Sequence, residues 1–379
     1  MLHTDDFRGA TFDSRQVEPG MIFVALKGEK SDGRDFIAQA LENGAAGVIE
    51  GYDELNRFAR EYRRSLKAKV VAVTGSAGKT TTKEFLRAFL SKAGKTHATQ
   101  GNFNNHIGLP LTILNCPKDA DFLVVEMGSN HPGEIAALCD VAEPDVGVVT
   151  NVGTAHLEFF GSREGIAREK GELLRRVKVG FSAKGAEYLP GDVDTSAPWL
   201  AEALAEVFPG AHNIANAALA FAAAESFGVT REAALEAIAD VHIPGARWRR
   251  VTRNGVDFID DTYNASPDSM IAALETFAAM PCDGKHVAVL GDMLELGADS
   301  LELHRKVFKK AMDLKIPLVI GVGEMSSRCI CNLAYKTPEA LKYKFRFDVS
   351  AGDLVLVKAS HSMDLGRVID YADPSGDRR

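Results

Sequence analysis

The sequence predicts an α/β protein of three domains built largely on parallel sheets. Short, β-branched apolar runs alternate along the chain with stretches of helical period, the mark of strands covered by helices on both faces. Turns rich in glycine, amide and acidic residues follow those runs, where open α/β sheets bind ligands. The length, 379 residues, exceeds one domain of ordinary size.

Residues 1–67 form the first predicted unit, a small α/β domain. Its strands are 21–26 and 47–50, with a helix over 33–43 and a charged helix over 53–67. Residues 68–243 form the second, with strands at 69–73, 122–126 and 146–150 and helices at 81–93 and 133–139. A loose Gly/Pro/Asp-rich stretch, 185–196, interrupts it. From residue 244 to 379 the alternation restarts, with strands at 256–260, 287–290, 318–321 and 354–358. Asp283-Gly284 and Gly352-Asp353 punctuate turns before two of the apolar runs.

Composition narrows the function. Apolar residues make up 46% and charged ones 25%, as in globular proteins that fold in water. The longest apolar runs, such as 215–224, are too short to span a bilayer. The first residues, MLHTDDFRGA, lack a basic-then-apolar leader, so a cytoplasmic location is expected. A net charge of −8 argues against general nucleic-acid binding, which needs a basic face. Five cysteines, with Cys329 and Cys331 lacking a second pair nearby, point to reduced thiols rather than a disulfide framework or zinc.

The strongest local signal is VAVTGSAGKTTTKEF, a buried-strand pattern, a turn and a helix start. Gly75 and Gly78 let the backbone of Gly75-Ser76-Ala77-Gly78 turn tightly and approach a polyanion. Lys79 adds a point charge for β- and γ-phosphates, and Thr80, followed by Thr81, offers a hydroxyl to Mg²⁺. The spacing is Gly-x-x-Gly-Lys-Thr, with Val73 where the longer phosphate-loop pattern has its first glycine.

Other candidates follow strand ends. Glu126 closes FLVVE beside the phosphate loop, placed to ligate Mg²⁺ or to form a terminal ion pair. His156 lies just past another strand and reads equally as a loop histidine, since Mg²⁺ prefers oxygen. Lys170 reads by itself as a solvated helix lysine among glutamates. Asn104 and Asn105 sit in GNFNNHIGLP, suited to hold a polar substrate or to satisfy turns. Asn213 either caps a helix or meets an adenine edge. Arg247 answers phosphate charge, and the acids of IDDTYNASPDS suit ribose hydroxyls. Lys358 ends a later strand and reads equally as a surface lysine.

Together these segments resemble the Mur ligases of peptidoglycan synthesis. The matching pieces are DSRQVEPGMIFVALKGEKSDGRDFI, VTGSAGKTTTKEF, GNFNNHIGLPLTIL, VVEMGSN, TNVGTAHLEFFGS, AREKGEL, HNIANA, FIDDTYNASPDSM, VLGDMLELG and VLVKASHSM, in family order over nearly the whole chain. The resemblance implies a three-domain architecture: an N-terminal domain for the UDP-MurNAc-peptide, a central phosphate-loop ATPase domain and a C-terminal Rossmann-like domain. It implies an ATP-dependent ligase that activates a carboxylate as an acyl phosphate for attack by an amine. GNFNNHIGLP and DDTYNASPDS point to the branch that joins D-alanyl-D-alanine to UDP-MurNAc-tripeptide. By that resemblance Thr80 and Glu126 hold one Mg²⁺, and His156 and Lys170, the latter as a carbamate, serve a second. Lys79, His156 and Lys170 are the implied catalytic residues. Asn213, Arg247 and Asp261 meet ATP with the phosphate loop. Ser14 and Arg15 meet the uridine diphosphate, Asn104 and Asn105 the muramyl peptide, Asn264 and Ser266 the dipeptide, and Lys358 joins the substrate contacts. A monomer is expected.

Three departures stand out. His106 occupies a position where the family usually carries an acid, and Ser266 replaces an asparagine. The segment between Lys170 and His212 is short, so the central domain is expected to lack peripheral strands. Two alternatives share the motifs: a ligase with another amine acceptor, and a binding protein that has lost catalysis.

Overall fold

The computed structural model describes residues 7–28, 31–342 and 344–372. Residues 1–6 of the opening run MLHTDDFRGA lie outside them. The chain packs as two compact units. The first comprises residues 1–152, 167–204 and 214–242, and the second 153–166, 205–213 and 243–379.

The first unit holds two parallel sheets. The small one runs β1 (Ala10–Thr11), β2 (Ile22–Ala25) and β3 (Gly47–Glu50) in that order. The predicted helix over 33–43 begins as a 3-10 turn, Gly33–Phe36, and becomes α-helical at Ile37–Glu42. Asp32 caps that turn by accepting the Arg34 N–H. The larger sheet contains β4 (Lys69–Thr74), β5 (Thr96–Ala98), β6 (Phe122–Glu126), β7 (Val146–Val149) and β8 (Val179–Phe181). Their order is β5-β6-β4-β7-β8, all parallel. β4, β6 and β7 are buried on both faces, which explains their continuous apolar sequences.

Helix Tyr52–Ser65 joins the two sheets into one core. Leu55, Phe58, Ala59 and Tyr62 face inward beside Val24, Val70, Leu111 and Leu138. Its outward turn is pinned by Arg63, which donates to the carbonyls of Ala142 and Glu143 and to the Asp145 carboxylate.

The second unit carries a mixed sheet: β9 (Arg249–Arg253), β10 (Val256–Asp261), β11 (His286–Gly291), β12 (Leu318–Val322), β13 (Leu333–Tyr335) and β14 (Leu354–Lys358). The order is β13-β12-β11-β14-β10-β9, with β9 antiparallel at the edge. Arg249, Arg250 and Arg253 are exposed on that edge strand, and such charges discourage further strand pairing.

His304 is fully buried on helix Ser300–Asp313. Its Nε2 accepts the Met293 N–H at 2.9 Å, and Nδ1 faces the Ser300 carbonyl at 2.7 Å, which fixes the neutral Nδ1–H tautomer. Burial lowers its pKa, against the opposing pull of the Ser300 carbonyl and Asp292. The unfolded chain therefore takes up this proton first as pH falls. The stability this site contributes is present above the unfolded value of about 6.5 and declines below it, by at most about 1.4 kcal/mol per pH unit. Melting curves of wild type and His304→Asn across pH 5–8 should show a shallower acid slope in the variant.

Candidate active site

β4 delivers the chain to the phosphate loop at the carboxyl edge of the sheet, between β6 and β7. Gly75 and Gly78 take φ of +143° and +80°, and Gly78 immediately precedes the twelve-residue helix Lys79–Leu90. A Cβ on Gly75 would lie 1.9 Å from Thr150 Oγ1, and one on Gly78 2.4 Å from Asn216 Oδ1. Glycine is required at both by conformation and by space.

The turn is braced from β7's end. Asn151 accepts the Ser76 N–H with its carbonyl and the Ala77 N–H with Oδ1, while its Nδ2 and Thr150 Oγ1 donate to the Ala77 carbonyl. The first-turn N–H groups of the following helix lack helical acceptors and favour an anion. Lys79 Nζ folds back onto the Gly75 carbonyl at 2.8 Å.

Thr80 and Glu126 meet as their spacing anticipates: Thr80 Oγ1 donates to Glu126 Oε2 at 2.9 Å, both buried. Two hard oxygen donors at the head of a phosphate loop fit Mg²⁺, which takes few protein ligands and completes its shell with water and substrate phosphate. Among the described residues no group of three or more His, Cys, Asp or Glu gathers as a metal cluster. Asn104 Nδ2 donates to the other carboxylate oxygen, Oε1, at 2.8 Å. Asn105 turns its Oδ1 to the N–H groups of Ile107 and Gly108, capping helix Gly108–Leu114.

Lys170 is no solvated lysine. It is buried on helix Arg163–Arg176, its Nζ 2.6 Å from Ser129 Oγ and 3.2 Å from the Ser129 carbonyl. Burial first, and the positive Lys79 second, pull its pKa down to about 7, with Glu169 and Glu134 opposing. That shift favours the neutral, nucleophilic form of the amine over the ammonium. Its neighbour Glu169 accepts the N–H groups of Gly133 and Ile135 at the start of helix Glu134–Ala142, anchoring that stretch of chain. Ser14 Oγ donates to Gln39, and the exposed Arg15 forms a fork onto Asp13.

In the second unit His156 adopts a left-handed backbone, φ 59°, with Nδ1 2.5 Å from Glu295 Oε2. Thr154 donates through its N–H and hydroxyl to Asp268. Asp261 and Lys358 stand opposite each other in the β10–β14 register and pair at 2.6 Å, Lys358 also donating to the Asn264 carbonyl. Lys358 is therefore buried at a strand end, not a surface lysine. Arg247 lays its guanidinium 3.5 Å over the Tyr263 ring. Asn213 Nδ2 donates to the Pro209 carbonyl. Ser266 precedes helix Pro267–Ala278, and Ser269 Oγ accepts its N–H. Serine and asparagine both serve as helix caps, which makes that departure conservative here.

Sequence reading missed Thr99, Lys83, Thr150, Glu169 and Asn216; Ser129 and Asn151 lie in the turns 126–130 and 151–156 at strand carboxyl ends, where ligands are expected, but no individual role was legible for them. A second asparagine three residues after Asn213 was the available signal for Asn216. The others act across long sequence separations and carry none.

A phosphate loop, a hydroxyl–carboxylate pair of the kind that suits a divalent ion and a buried lysine beside them are the features of a phosphate-handling α/β enzyme. Three family descriptions match along the chain: the Mur ligase family catalytic domain over residues 6–88, the Mur ligase middle domain over 73–183, and the Mur ligase glutamate ligase domain over 246–361. The chain belongs to the Mur ligase family. It is 33% identical to the UDP-N-acetylmuramoyl-tripeptide–D-alanyl-D-alanine ligase of Bacillus subtilis, over 95% of this chain and 92% of that protein. Identity to the Escherichia coli enzyme of that name is 32%, over 97% and 94%. The crystal structure of MurF ligase from Thermotoga maritima in complex with ADP is similar with a TM-score of 0.81 at 30% identity, covering 98% of each chain. Among the described residues no helix is long and apolar enough to cross a membrane.

Proposed function

We propose that this protein joins D-alanyl-D-alanine to UDP-N-acetylmuramoyl-tripeptide at the expense of ATP, acting as a monomer in the cytoplasm. The Thr80–Glu126 oxygen pair at the head of the phosphate loop carries the reaction type. Identity over nearly the whole chain to relatives named for those substrates supports the choice of substrates.

A terminal carboxylate oxygen of the tripeptide attacks the γ-phosphorus of ATP, and ADP leaves. The dipeptide amine then attacks the acyl carbon, loses its proton, and the tetrahedral intermediate collapses to amide and inorganic phosphate. Lys79 and the first-turn N–H groups after Gly78 counter the charge of the transferring phosphoryl group. Thr80 and Glu126 are the residues that would hold magnesium, which when bound neutralises phosphate charge. The neutral amine of Lys170 is suited to add to carbon dioxide, releasing a proton and leaving a carbamate. That converts a cationic side chain into the oxygen donor Mg²⁺ prefers. His156 is retained as a candidate ligand of a second magnesium ion.

On the second unit, Asn213, Arg247 and Asp261 are assigned to ATP, and Asn264, Ser266 and Lys358 to the dipeptide end. Ser14 and Arg15 are assigned to the uridine diphosphate, and Asn105 to the muramyl peptide. A coupled ADP-release assay tests the reading. ADP should form only with both UDP-MurNAc-tripeptide and D-alanyl-D-alanine present. Equal turnover without the dipeptide, or with any amino acid in its place, contradicts it, as does nucleotide binding with no ADP formed.

A further inference from the structure

We infer that Asn104 and Thr99 are positioning residues for the Glu126 carboxylate, and that the buried Lys83 fixes Thr99 for that task. This rests on the reading of Glu126 as the magnesium ligand, and it moves Asn104 from substrate contact to metal support.

Each Glu126 oxygen accepts a different donor: Oε2 the Thr80 hydroxyl at 2.9 Å, Oε1 the Asn104 amide at 2.8 Å. A carboxylate only accepts, so the amide must present its NH₂ there. Asn104 has little freedom to do otherwise. Its main-chain carbonyl accepts the Gly128 N–H at 2.8 Å, and a Cβ on Gly128 would lie 3.0 Å from its side-chain amide. The chain on the far side of Glu126 thus clamps the asparagine against the carboxylate. With Oε1 occupied by Asn104, Oε2 is the oxygen turned toward the Thr80 hydroxyl and the phosphate loop.

Thr99 fixes the backbone of the same residue. Its N–H donates to Val124, continuing the β5–β6 ladder, and its Oγ1 accepts the Glu126 N–H at 3.0 Å. A side-chain oxygen thereby replaces the carbonyl that a longer β5 would supply. Lys83, fully buried on the phosphate-loop helix, donates to the Thr99 carbonyl at 2.6 Å and pairs with Glu84 at 2.7 Å. Burying a lysine is costly unless it is paired and hydrogen-bonded, and both conditions are met here. The result ties helix Lys79–Leu90, which carries Thr80, to the strand end that carries Glu126. The two metal donors are held at fixed separation from both sides.

Mn²⁺ binding in the presence of ADP, read from the loss of the free-ion electron paramagnetic resonance signal, tests this without turnover. Asn104→Ala should weaken Mn²⁺ binding by about 10–100-fold, the usual cost of losing a group that orients a metal ligand. The KM for UDP-MurNAc-tripeptide should stay at its wild-type value. Thr99→Val should weaken Mn²⁺ in the same direction and Thr99→Ser should restore it, and this pair decides the matter if Asn104→Ala fails to fold. Unchanged Mn²⁺ affinity in Asn104→Ala with a raised tripeptide KM would overturn the inference and return Asn104 to the substrate. Glu126→Gln is the control. If it leaves Mn²⁺ binding unchanged, the metal reading of Glu126 itself fails; if it weakens binding while Asn104→Ala and Thr99→Val do not, only the positioning role fails.

Discussion

Lys79→Met is expected to lower the rate of ADP formation by about 10²–10³-fold, the cost of removing one preorganised charge from a transferring group. The effect should fall on kcat more than on the KM of either peptide substrate, because the charge it answers develops during transfer. Folding should survive. Lys79 opens helix Lys79–Leu90, while the turn before it is braced independently by Thr150 and Asn151. Arginine should not rescue the rate, since its planar fork does not match a point charge folded over the Gly75 carbonyl. Coupled-assay kinetics beside a melting curve separate the two effects. A variant with wild-type kcat contradicts the role given to this loop.

Lys170→Met should lower turnover by at least about 10-fold, as loss of a ligand costs no less than loss of a group that orients one. Methionine is close to lysine in length and volume and carries no amine, so it keeps the buried position packed and avoids a collapsed core as the explanation. Two further readings bear on the carbamate. Wild-type turnover should rise with added bicarbonate and the variant should not respond. ¹³C-bicarbonate should give a carbamate resonance in wild type that is missing from Lys170→Met. The site favours that chemistry because burial and Lys79 together hold the amine near a pKa of about 7. A variant with undiminished turnover sinks the assignment; a wild type indifferent to bicarbonate and lacking the resonance removes the carbamate while leaving a role for the amine.

The long strands were legible because burial on both faces writes itself as a continuous apolar run, as in β4, β6, β7, β11 and β14. β5, β8 and β13, three residues each, and the arginine-bearing edge strand β9 leave no such pattern. Short edge strands are specified by a neighbour's hydrogen bonds rather than by their own side chains. The same divide runs through the site. Gly75 to Thr80 are local, and their spacing alone predicts the turn. Glu126 was readable as the last residue of a buried strand. What holds these groups was not. Thr99 reaches Glu126 across 27 positions, Ser129 reaches Lys170 across 41, and Asn151 reaches Ala77 across 74. Lys170 shows the limit most clearly: its helix reads as charged and solvated, and only the fold buries the amine against Ser129.

In the proposed reaction the phosphoryl group passes to the peptide carboxylate before the new bond forms. Tripeptide substrate labelled with ¹⁸O in its terminal carboxylate tests this directly when the released phosphate is examined by ³¹P NMR. One ¹⁸O should appear in inorganic phosphate for each ADP formed, and only when D-alanyl-D-alanine is present to complete the amide. Phosphate carrying no label would mean that water, not the carboxylate, takes the phosphoryl group, and would rule out the acyl-phosphate route.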